Sequence, residues 1–260
     1  YDPHHPLYLD EADTRKELER VYDLCHGCRL CFKFCPSFPT LFSYVDMHDD
    51  QDAGKMTPAQ QDHVVDECFQ CKLCYVMCPY IPELHEWALD FPRLMLRADA
   101  MRRANGQVSA RDKLTTAVMG HTDALGKVAT KAGVVSNVVM GAKPGSLIRK
   151  VVEKTAGISS VRMLPPFAKQ RFTTWFKKRP QIRLTKSQGD VAVFPTCLVE
   201  YQDPRIGHDL VKVYEHNGVS CSLAGTTNCC GAPYLHSGDM DTFTKVAAKN
   251  ISELVKDVRA

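Results

Sequence analysis

The sequence predicts an α+β fold in three consecutive parts. Residues 1–108 show helical periodicity on both sides of two compact cysteine-rich strings. Residues 189–260 have the pattern of a strand, a helix, a second strand and a second helix. Residues 109–188 form short capped segments with a strong excess of positive charge. We therefore expect a helical N-terminal domain, a basic helical connector and a small α/β domain.

Helix start and stop signals divide the N-terminal part. Residues 11–24 place apolar side chains along one side of a helix. The segment Thr57-Pro58-Ala59-Gln60 combines an N-cap, a proline at the first helical position and a capping-box glutamine, which predicts a second helix. A third helix is expected to begin after Asp90 and to end before Gly106. The cysteine strings therefore lie between helices.

The chain has twelve cysteines among 260 residues, and eight of them fall into the two strings. A disulfide framework, typical of small secreted proteins, needs no such regularity. We therefore expect reduced thiolates that hold a metal in a cytoplasmic protein. The sequence has no apolar run of about 18 residues or more, so no membrane-spanning segment is predicted.

The two strings, 25–36 and 68–79, both follow the pattern C-x2-C-x2-C-x3-C-P. This is the ligand spacing of two-cluster ferredoxins, in which the fourth cysteine of each string binds the other cluster. The sequence therefore predicts two 4Fe–4S clusters. The expected ligands of the first are Cys25, Cys28, Cys31 and Cys78, and those of the second are Cys68, Cys71, Cys74 and Cys35.

Zinc is the main alternative, because paired C-x2-C knuckles also form four-cysteine zinc sites. Zinc leaves the third cysteine of each string and the repeated Cys-Pro unexplained. A thiol–disulfide pair would leave six matched cysteines without a role. The helices around the strings favour the α-helical ferredoxin arrangement of respiratory iron–sulfur subunits over the β-rich bacterial ferredoxin.

The connector is strongly basic, since residues 111–188 hold 16 Lys and Arg against 3 Asp and Glu. A capped amphipathic helix is predicted over 146–156, and Trp175-Phe176 precede the run Lys177-Lys178-Arg179. Such a run is often only a solvated face. The alternative is a segment, within residues 109–188, that docks on an anionic membrane or on a membrane-bound partner. Nucleic acid is not expected as a partner, because no nucleic-acid-binding motif accompanies the charge.

The C-terminal part places cysteines after both predicted strands. Cys197 follows the strand at 191–194, and Cys229-Cys230-Gly231 follows the strand at 219–223. Cys197, Cys229 and Cys230 are therefore a candidate third metal site. Cys221, inside the second strand, is expected to be a small core residue. His26 lies in the first string, and it either tunes a cluster by a hydrogen bond or fills space.

The Cys-Cys-Gly triplet, its distance from Cys197 and the flanks Phe194-Pro195-Thr196 and Ala232-Pro233 resemble the cysteine-rich CCG domain of the heterodisulfide reductase family. The order of the three parts is similar to that of the iron–sulfur subunits of anaerobic glycerol-3-phosphate dehydrogenase and glycolate oxidase. The resemblance implies a subunit that passes electrons from a flavoprotein partner towards a quinone or another acceptor. Together with the basic connector, it gives the expectation of a cytoplasmic protein that can lie peripherally on the cytoplasmic face of a membrane.

The same resemblance implies a second possibility, in which the CCG domain is itself catalytic and holds a third, non-cubane cluster. The family completes that site with a later C-x-x-C pair, and no such pair follows Cys230. The CCG domain and its site are therefore expected to be incomplete in this chain.

Overall fold

The computed structural model describes residues 1–180, 189–224 and 229–259, and it divides into two compact units. Unit 1 comprises Tyr1–Lys113 and Pro233–Met240, and unit 2 comprises Leu114–Ala232 and Asp241–Ala260. Helices dominate both units, and the described strands are two short ones in unit 2. The predicted α+β class is confirmed.

Unit 1 is built from helices around the two cysteine strings. Their bounds are α1 Glu11–Cys28, α2 Ser37–Val45, α3 Pro58–Asp66, α4 Leu73–Met77 and α5 Phe91–Ala104, with a 3₁₀ turn at Ala53–Lys55. The capping box predicted at Thr57 is present, since Gln60 N–H donates to the Thr57 hydroxyl and Thr57 N–H donates to the Gln60 side chain. Asp90 caps α5 in the predicted place.

The core of unit 1 lies between α1, α2, α3 and α5. Leu18, Val21 and Tyr22 of α1 are fully buried, as the apolar spacing of residues 11–24 predicts. Leu41 of α2 and Leu94 of α5 join the same core. Several string cysteines are partly buried and pack against this core. The apolar helices therefore fix the position of the strings.

Unit 2 contains a small parallel sheet with helices around it. The remaining elements of the chain are α6 Ala110–Gly120, α7 Thr122–Lys131, α8 Gly133–Met140, α9 Leu147–Ala156, α10 Phe172–Lys178, β1 Gly189–Val193, α11 Cys197–Tyr201, α12 Pro204–His216, β2 Val219–Leu223, α13 Ala232–His236 and α14 Met240–Arg259. β1 and β2 pair in parallel, and α11 and α12 connect them, which is the predicted strand–helix–strand order.

The core of unit 2 places α10 against the sheet and α12. Phe172, Phe176, Val193 and Val211 form a buried cluster, with Cys221 of β2 packed against it. Cys221 is thus part of the core, as expected. A Cβ at Gly207 of α12 would lie 2.5 Å from the Phe172 ring, so only glycine permits this close approach.

The aromatic residues of the connector pack within unit 2. A membrane-docking connector, one of the expected alternatives, would present Trp175 and Phe176 to the bilayer, but Phe176 is buried in the core and the half-buried Trp175 packs on His208 with 3.8 Å between ring centroids. Arg179 is also turned inward, since its guanidinium lies 2.6 Å from the Glu215 carboxylate. Phe176 and the Arg179 side chain are therefore packed inside unit 2 rather than presented to a bilayer. No helix in the described part of the chain is long and apolar enough to cross a membrane.

Candidate metal centres

The first cysteine string begins inside a helix. α1 continues four residues beyond its predicted end and carries Cys25 and Cys28 on its last turn. Arg29 then adopts the left-handed conformation that ends the helix, and its N–H donates to the Cys25 carbonyl. The chain turns back at this point, so Cys31 follows in a tight loop.

The second string uses a similar turn in a different setting. Cys68 follows the end of α3, and Lys72 adopts the left-handed conformation directly before α4. Cys74 lies on α4, and Cys78 ends that helix. The Tyr80 N–H points at the Cys78 sulfur, 3.4 Å away. Backbone N–H groups thus point at cysteine sulfur, as expected for a loop that carries negative charge.

The structure brings together the cysteines assigned to the first cluster. Three come from the first string and the fourth, Cys78, from the second, and all four line one cavity with apolar walls. Its lining residues are Cys25, Cys28, Leu30, Cys31, Phe38, Phe42, Cys78, Pro79, Tyr80 and Leu89. Four thiols in an apolar cavity fit the donor set of a 4Fe–4S cluster.

The cysteines assigned to the second cluster also lie near one another. Burial raises the pKa of Cys74 to about 12, and the neighbouring thiols of Cys31, Cys68, Cys35 and Cys71 add to that shift. Burial raises the pKa of Cys68 to about 11, and Cys35 and Cys71 contribute there too. Thiolates held this closely repel one another, and the iron of a bound cluster would offset the repulsion.

The two groups of cysteines are adjacent. One cavity is lined by Cys25, Cys31 and Cys78 of the first group and by Cys74 of the second. Phe38, Leu89 and Phe91 complete its apolar wall. A pair of clusters held by these groups would therefore be neighbours inside unit 1.

Helix α2 contributes to the second group in a way that the sequence analysis missed. Burial raises the pKa of the Cys35 thiol, whereas the backbone N–H groups of Ser37 and Phe38 lower it. These N–H groups belong to the first turn of α2, where a helix has unsatisfied donors. A helix directly after Cys-Pro could have been suspected from the apolar spacing of Phe38, Leu41 and Phe42.

His26 does not serve the role suggested for it near a sulfur. Its ring is buried, and Nε2 lies 2.8 Å from the Asp46 carboxylate. Arg29 donates to the same carboxylate at 2.6 Å, and its guanidinium lies over the Phe42 ring. This network joins the end of α1 to the end of α2 and thereby holds the first string in place.

The candidate third site lies in unit 2. Cys197 begins α11, whose N-cap is Thr196. Burial raises the pKa of Cys197, the Thr122 hydroxyl lowers it, and the charges of Cys229 and Cys230 raise it further, so the three predicted cysteines lie in the same region of unit 2. Cys229 is buried and Cys230 is exposed. Residues 225–228, which precede them, lie outside the described residues.

Two contacts at this third site carried no sequence signal. The Thr122 hydroxyl, on the first turn of α7, lies 3.0 Å from the Cys197 sulfur. The Asn250 amide of α14 donates to the Cys229 carbonyl at 2.9 Å. In the described residues, no three His, Cys, Asp or Glu side chains lie close enough to hold a single metal ion.

Two family models match the chain. Residues 17–79 match the 4Fe–4S dicluster domain, which includes both strings, and residues 191–259 match the cysteine-rich CCG domain. A subunit of the anaerobic glycerol-3-phosphate dehydrogenase of Escherichia coli is 29% identical over 157 residues, which cover 60% of this chain and 39% of that protein.

Shorter matches include lactate utilization protein A of Shouchella clausii, 37% identical over 68 residues, or 26% of this chain and 28% of the relative. A subunit of the fumarate reductase (CoM/CoB) of Methanothermobacter marburgensis is 28% identical over 60 residues, or 23% of this chain and 12% of the relative. The matched regions thus cover 39% or less of each of these relatives. No solved structure shows a significant match. The chain therefore carries a 4Fe–4S dicluster domain and a cysteine-rich CCG domain, and it is homologous to the glycerol-3-phosphate dehydrogenase subunit and to lactate utilization protein A.

Proposed function

We propose that the protein is an electron-transfer subunit that relays electrons from a flavoprotein partner towards a quinone or another acceptor. The observation that carries this proposal is that Cys25, Cys28, Cys31 and Cys78 line one cavity, and that Cys74 of the second string lines a cavity shared with three of them. Two one-electron centres side by side are suited to passing electrons through a domain. The relatives support a redox partner, because their names are those of dehydrogenase and reductase subunits.

The residues of the chain have distinct parts in this function. Clusters bound at the two groups would supply one-electron redox chemistry, since iron–sulfur centres cycle between adjacent oxidation states. Cys25, Cys28, Cys31 and Cys78 would hold one, and Cys68, Cys71, Cys74 and Cys35 the other. The apolar side chains of Phe38 and Leu89 exclude water from the first group. Backbone N–H groups directed at Cys35 and Cys78 stabilise negative charge on sulfur.

The test is iron content together with EPR. Protein purified without oxygen should contain about eight irons in unit 1 and show two interacting 4Fe–4S signals on reduction, as the paired motif requires. Zinc in place of iron would contradict the proposal. The flavoprotein half of the proposal is tested separately, by isolating the native complex from source cells under low salt and measuring its flavin. An isolated complex that holds iron but no flavin would contradict that half alone.

A catalytic role for the CCG domain is the second candidate, and the grouping of Cys197, Cys229 and Cys230 favours it. With three cysteines, the chain would need a further ligand to complete a four-thiolate site. Iron in excess of the two clusters, lost on Cys229→Ser and retained on Cys221→Ser, would support this site. Equal iron in both variants and in the wild type would count against it.

The surface of α9 supports a peripheral position on a membrane. Leu147, Ile148 and Val151 lie on this helix and are 81%, 45% and 62% exposed, and Lys150 and Lys154 are exposed beside them. An exposed amphipathic helix with a basic side is typical of an anionic bilayer surface. Docking therefore involves α9 rather than Trp175 and Phe176.

A further inference from the structure

The cysteine strings carry a group of exposed apolar side chains. On the second string, Phe69, Leu73, Val76 and Met77 are 65%, 52%, 76% and 56% exposed. On the first string, the exposed apolar residues are Leu30 and Phe32. We call these six residues the string face. Large apolar side chains exposed together on a soluble domain typically mark an interaction site.

The shape of α4 explains why the string face points outward. Leu73, Val76 and Met77 are spaced i, i+3 and i+4, so they share one side of this helix. Cys74 lies away from that side and lines a cavity with Cys25, Cys31 and Cys78. Helix α4 has no buried residue. One side of the helix therefore serves the sulfurs, and the other has no role in the core of unit 1.

The string face adjoins a metal centre at Leu30. Leu30 lines the same cavity as Cys28, Cys78 and Pro79, so the two strings meet there. Cys28 and Cys71, the second cysteine of each string, are both exposed. A molecule that covered the string face would thus lie directly over the sulfurs through which electrons leave or enter.

The charge of the strings differs from that of the rest of the domain. The two strings contain Arg29, Lys33 and Lys72 and no Asp or Glu, whereas the remainder of residues 1–110 holds 8 Lys and Arg against 18 Asp and Glu. Lys33 and Lys72 are exposed, and neither forms an ion pair with another described residue. The strings themselves therefore carry positive charge on an otherwise acidic domain, and the acidic side chains of Glu83 and Asp46 contact Tyr75 and Arg29 of the strings.

We propose that the string face docks a redox protein whose own cofactor edge is apolar and surrounded by Asp and Glu. The apolar contact would exclude water between the two centres, and the opposite charges would steer and orient the encounter. Each encounter moves one electron: one reduced cluster is oxidised, and one oxidised centre of the partner is reduced. This proposal depends on the proposed electron-transfer function, because it assigns the route by which electrons pass.

The experiment uses two soluble haem proteins as probes: ferricytochrome b5, with an acidic rim around the haem edge, and ferricytochrome c, with a basic rim. Reduced full-length protein is mixed with each probe in a stopped-flow instrument, and the second-order rate of haem reduction is measured at several salt concentrations. The rate with cytochrome b5 should fall as salt rises, because screening weakens attraction between opposite charges. The rate with cytochrome c should rise or stay constant.

Variants separate the charge from the apolar contact. Lys33→Glu/Lys72→Glu should slow the reaction with cytochrome b5 about tenfold or more at low salt, since steering of this kind changes rates by at least that factor. Leu73→Ser/Val76→Ser/Met77→Ser should slow it while its salt dependence persists. The matched control is Leu114→Ser/Val118→Ser/Met119→Ser, which alters three exposed apolar residues of α6 and should leave the rate unchanged.

Iron content and the EPR spectrum are measured for every variant. Wild-type rates in both string variants, with clusters intact, would overturn the docking proposal. So would a loss of vesicle binding in these variants without a change in the electron-transfer rate, because the string face would then bind lipid. Wild-type protein without clusters would instead overturn the proposed function, so the two failures are distinguishable.

Discussion

Arg29 and Lys72 occupy equivalent positions in the two cysteine strings, and both have a left-handed backbone, with φ of 54° and 62°. Each directly follows the second cysteine of its string. Arg29 ends α1, whereas Lys72 precedes α4, so the same bend recurs between different helices. The bend thus follows from the cysteine spacing of the strings and is independent of the neighbouring helix.

This bend predicts opposite effects of two substitutions at Lys72. A side chain with a Cβ costs about 1–2 kcal/mol in the left-handed region, and a β-branched residue is disfavoured further. Lys72→Gly should therefore retain its clusters at least as long as the wild type in the presence of an iron chelator, and Lys72→Val should lose them faster. The loss is followed by visible absorbance. Lys33→Val is the control, because Lys33 has no positive φ. Equal rates for the valine and glycine variants of Lys72 would contradict the prediction.

The second prediction concerns the crossing of ligands between the strings. Cys35→Ser should damage the cluster held by Cys68, Cys71 and Cys74, and Cys78→Ser should damage the other one. The physical reason is that Cys78 lines the cavity of Cys25, Cys28 and Cys31. EPR of each reduced variant checks this, since the surviving cluster gives a signal without magnetic coupling to a neighbour.

The control for the crossing is Cys221→Ser, which changes a cysteine in the core of unit 2 and should leave both signals intact. If Cys35→Ser and Cys78→Ser left the same cluster intact, or if each damaged the cluster of its own string, the crossed assignment would be wrong.

The third prediction is a pH dependence of stability from Asp99. Burial raises the pKa of Asp99 on α5 to about 7; Arg102 opposes the shift, and Asp66 and Asp62 add to it. The unfolded chain releases this proton near pH 4, so the native state holds more protons between about pH 4 and 7. The free energy of unfolding should therefore fall as the pH rises from about 4 to 7. Above pH 7, Asp99 should make no further contribution to its pH dependence.

Asp99→Asn removes the free-energy cost of ionising a buried carboxyl group, because the asparagine amide carries no charge. The variant should be more stable than the wild type at pH 8, by up to roughly 4 kcal/mol for a shift of about three pKa units. The difference should shrink towards zero near pH 4. Thermal unfolding of both proteins between pH 5 and 8 provides the measurement. A difference that is the same at every pH would rule out titration of Asp99 as its cause.

The fourth prediction follows from the Arg179–Glu215 ion pair in unit 2. Both side chains are more than nine-tenths buried, and Arg179 also lies 3.8 Å above the Phe176 ring. Removing one partner of such a pair leaves a buried charge without its counterion and costs about 3–5 kcal/mol. Arg179→Ala should therefore lower the thermal stability of unit 2 markedly, as seen by limited proteolysis. Lys178→Ala, one residue earlier and exposed, should have no effect. Equal protease resistance of the two variants would place Arg179 on the surface.

The helices of unit 1 could largely be predicted because their signals are local. The capping box at Thr57 and the aspartate cap at Asp90 each satisfy backbone donors within three residues, and a sequence shows such contacts directly. The predicted end of α1 is too early, because Cys25 and Cys28 lie on the helix rather than in a loop. The spacing of the cysteines predicts that they share a cluster, and it does not determine which backbone conformation presents them.

The contacts that could not be predicted join distant parts of the chain. Thr122 lies 75 positions before Cys197, and no periodicity or cap relates the two. The burial of Phe176 and Arg179 likewise depends on Val211 and Glu215, which belong to α12. A basic run next to aromatic residues therefore has the same local pattern on a membrane-facing helix and in a core. Only the tertiary packing distinguishes the two.

The last prediction is that α9 contributes the membrane contact of the connector. Its exposed apolar residues include Leu147 and Val151, and the following loop is held in place by Arg149, which donates to the carbonyls of Ser159 and Arg162. Lys150→Glu/Lys154→Glu should weaken binding to anionic vesicles, because each lysine near such a surface contributes about 1 kcal/mol. Loss of two such contributions is about 2 kcal/mol, or a roughly 30-fold smaller partition coefficient.

Co-sedimentation with anionic and neutral vesicles checks this prediction at low and high salt. Wild-type binding should weaken with salt and persist in part, since salt screens the charges and leaves the burial of apolar surface unaffected. Leu147→Ser/Val151→Ser should abolish the part that persists. The control is Lys177→Glu/Lys178→Glu, which alters exposed lysines outside α9. It also reduces the positive charge of unit 2 by the same amount. Equal losses from the α9 pair and the control pair would show that net charge alone drives binding, and α9 would then have no specific role at the bilayer.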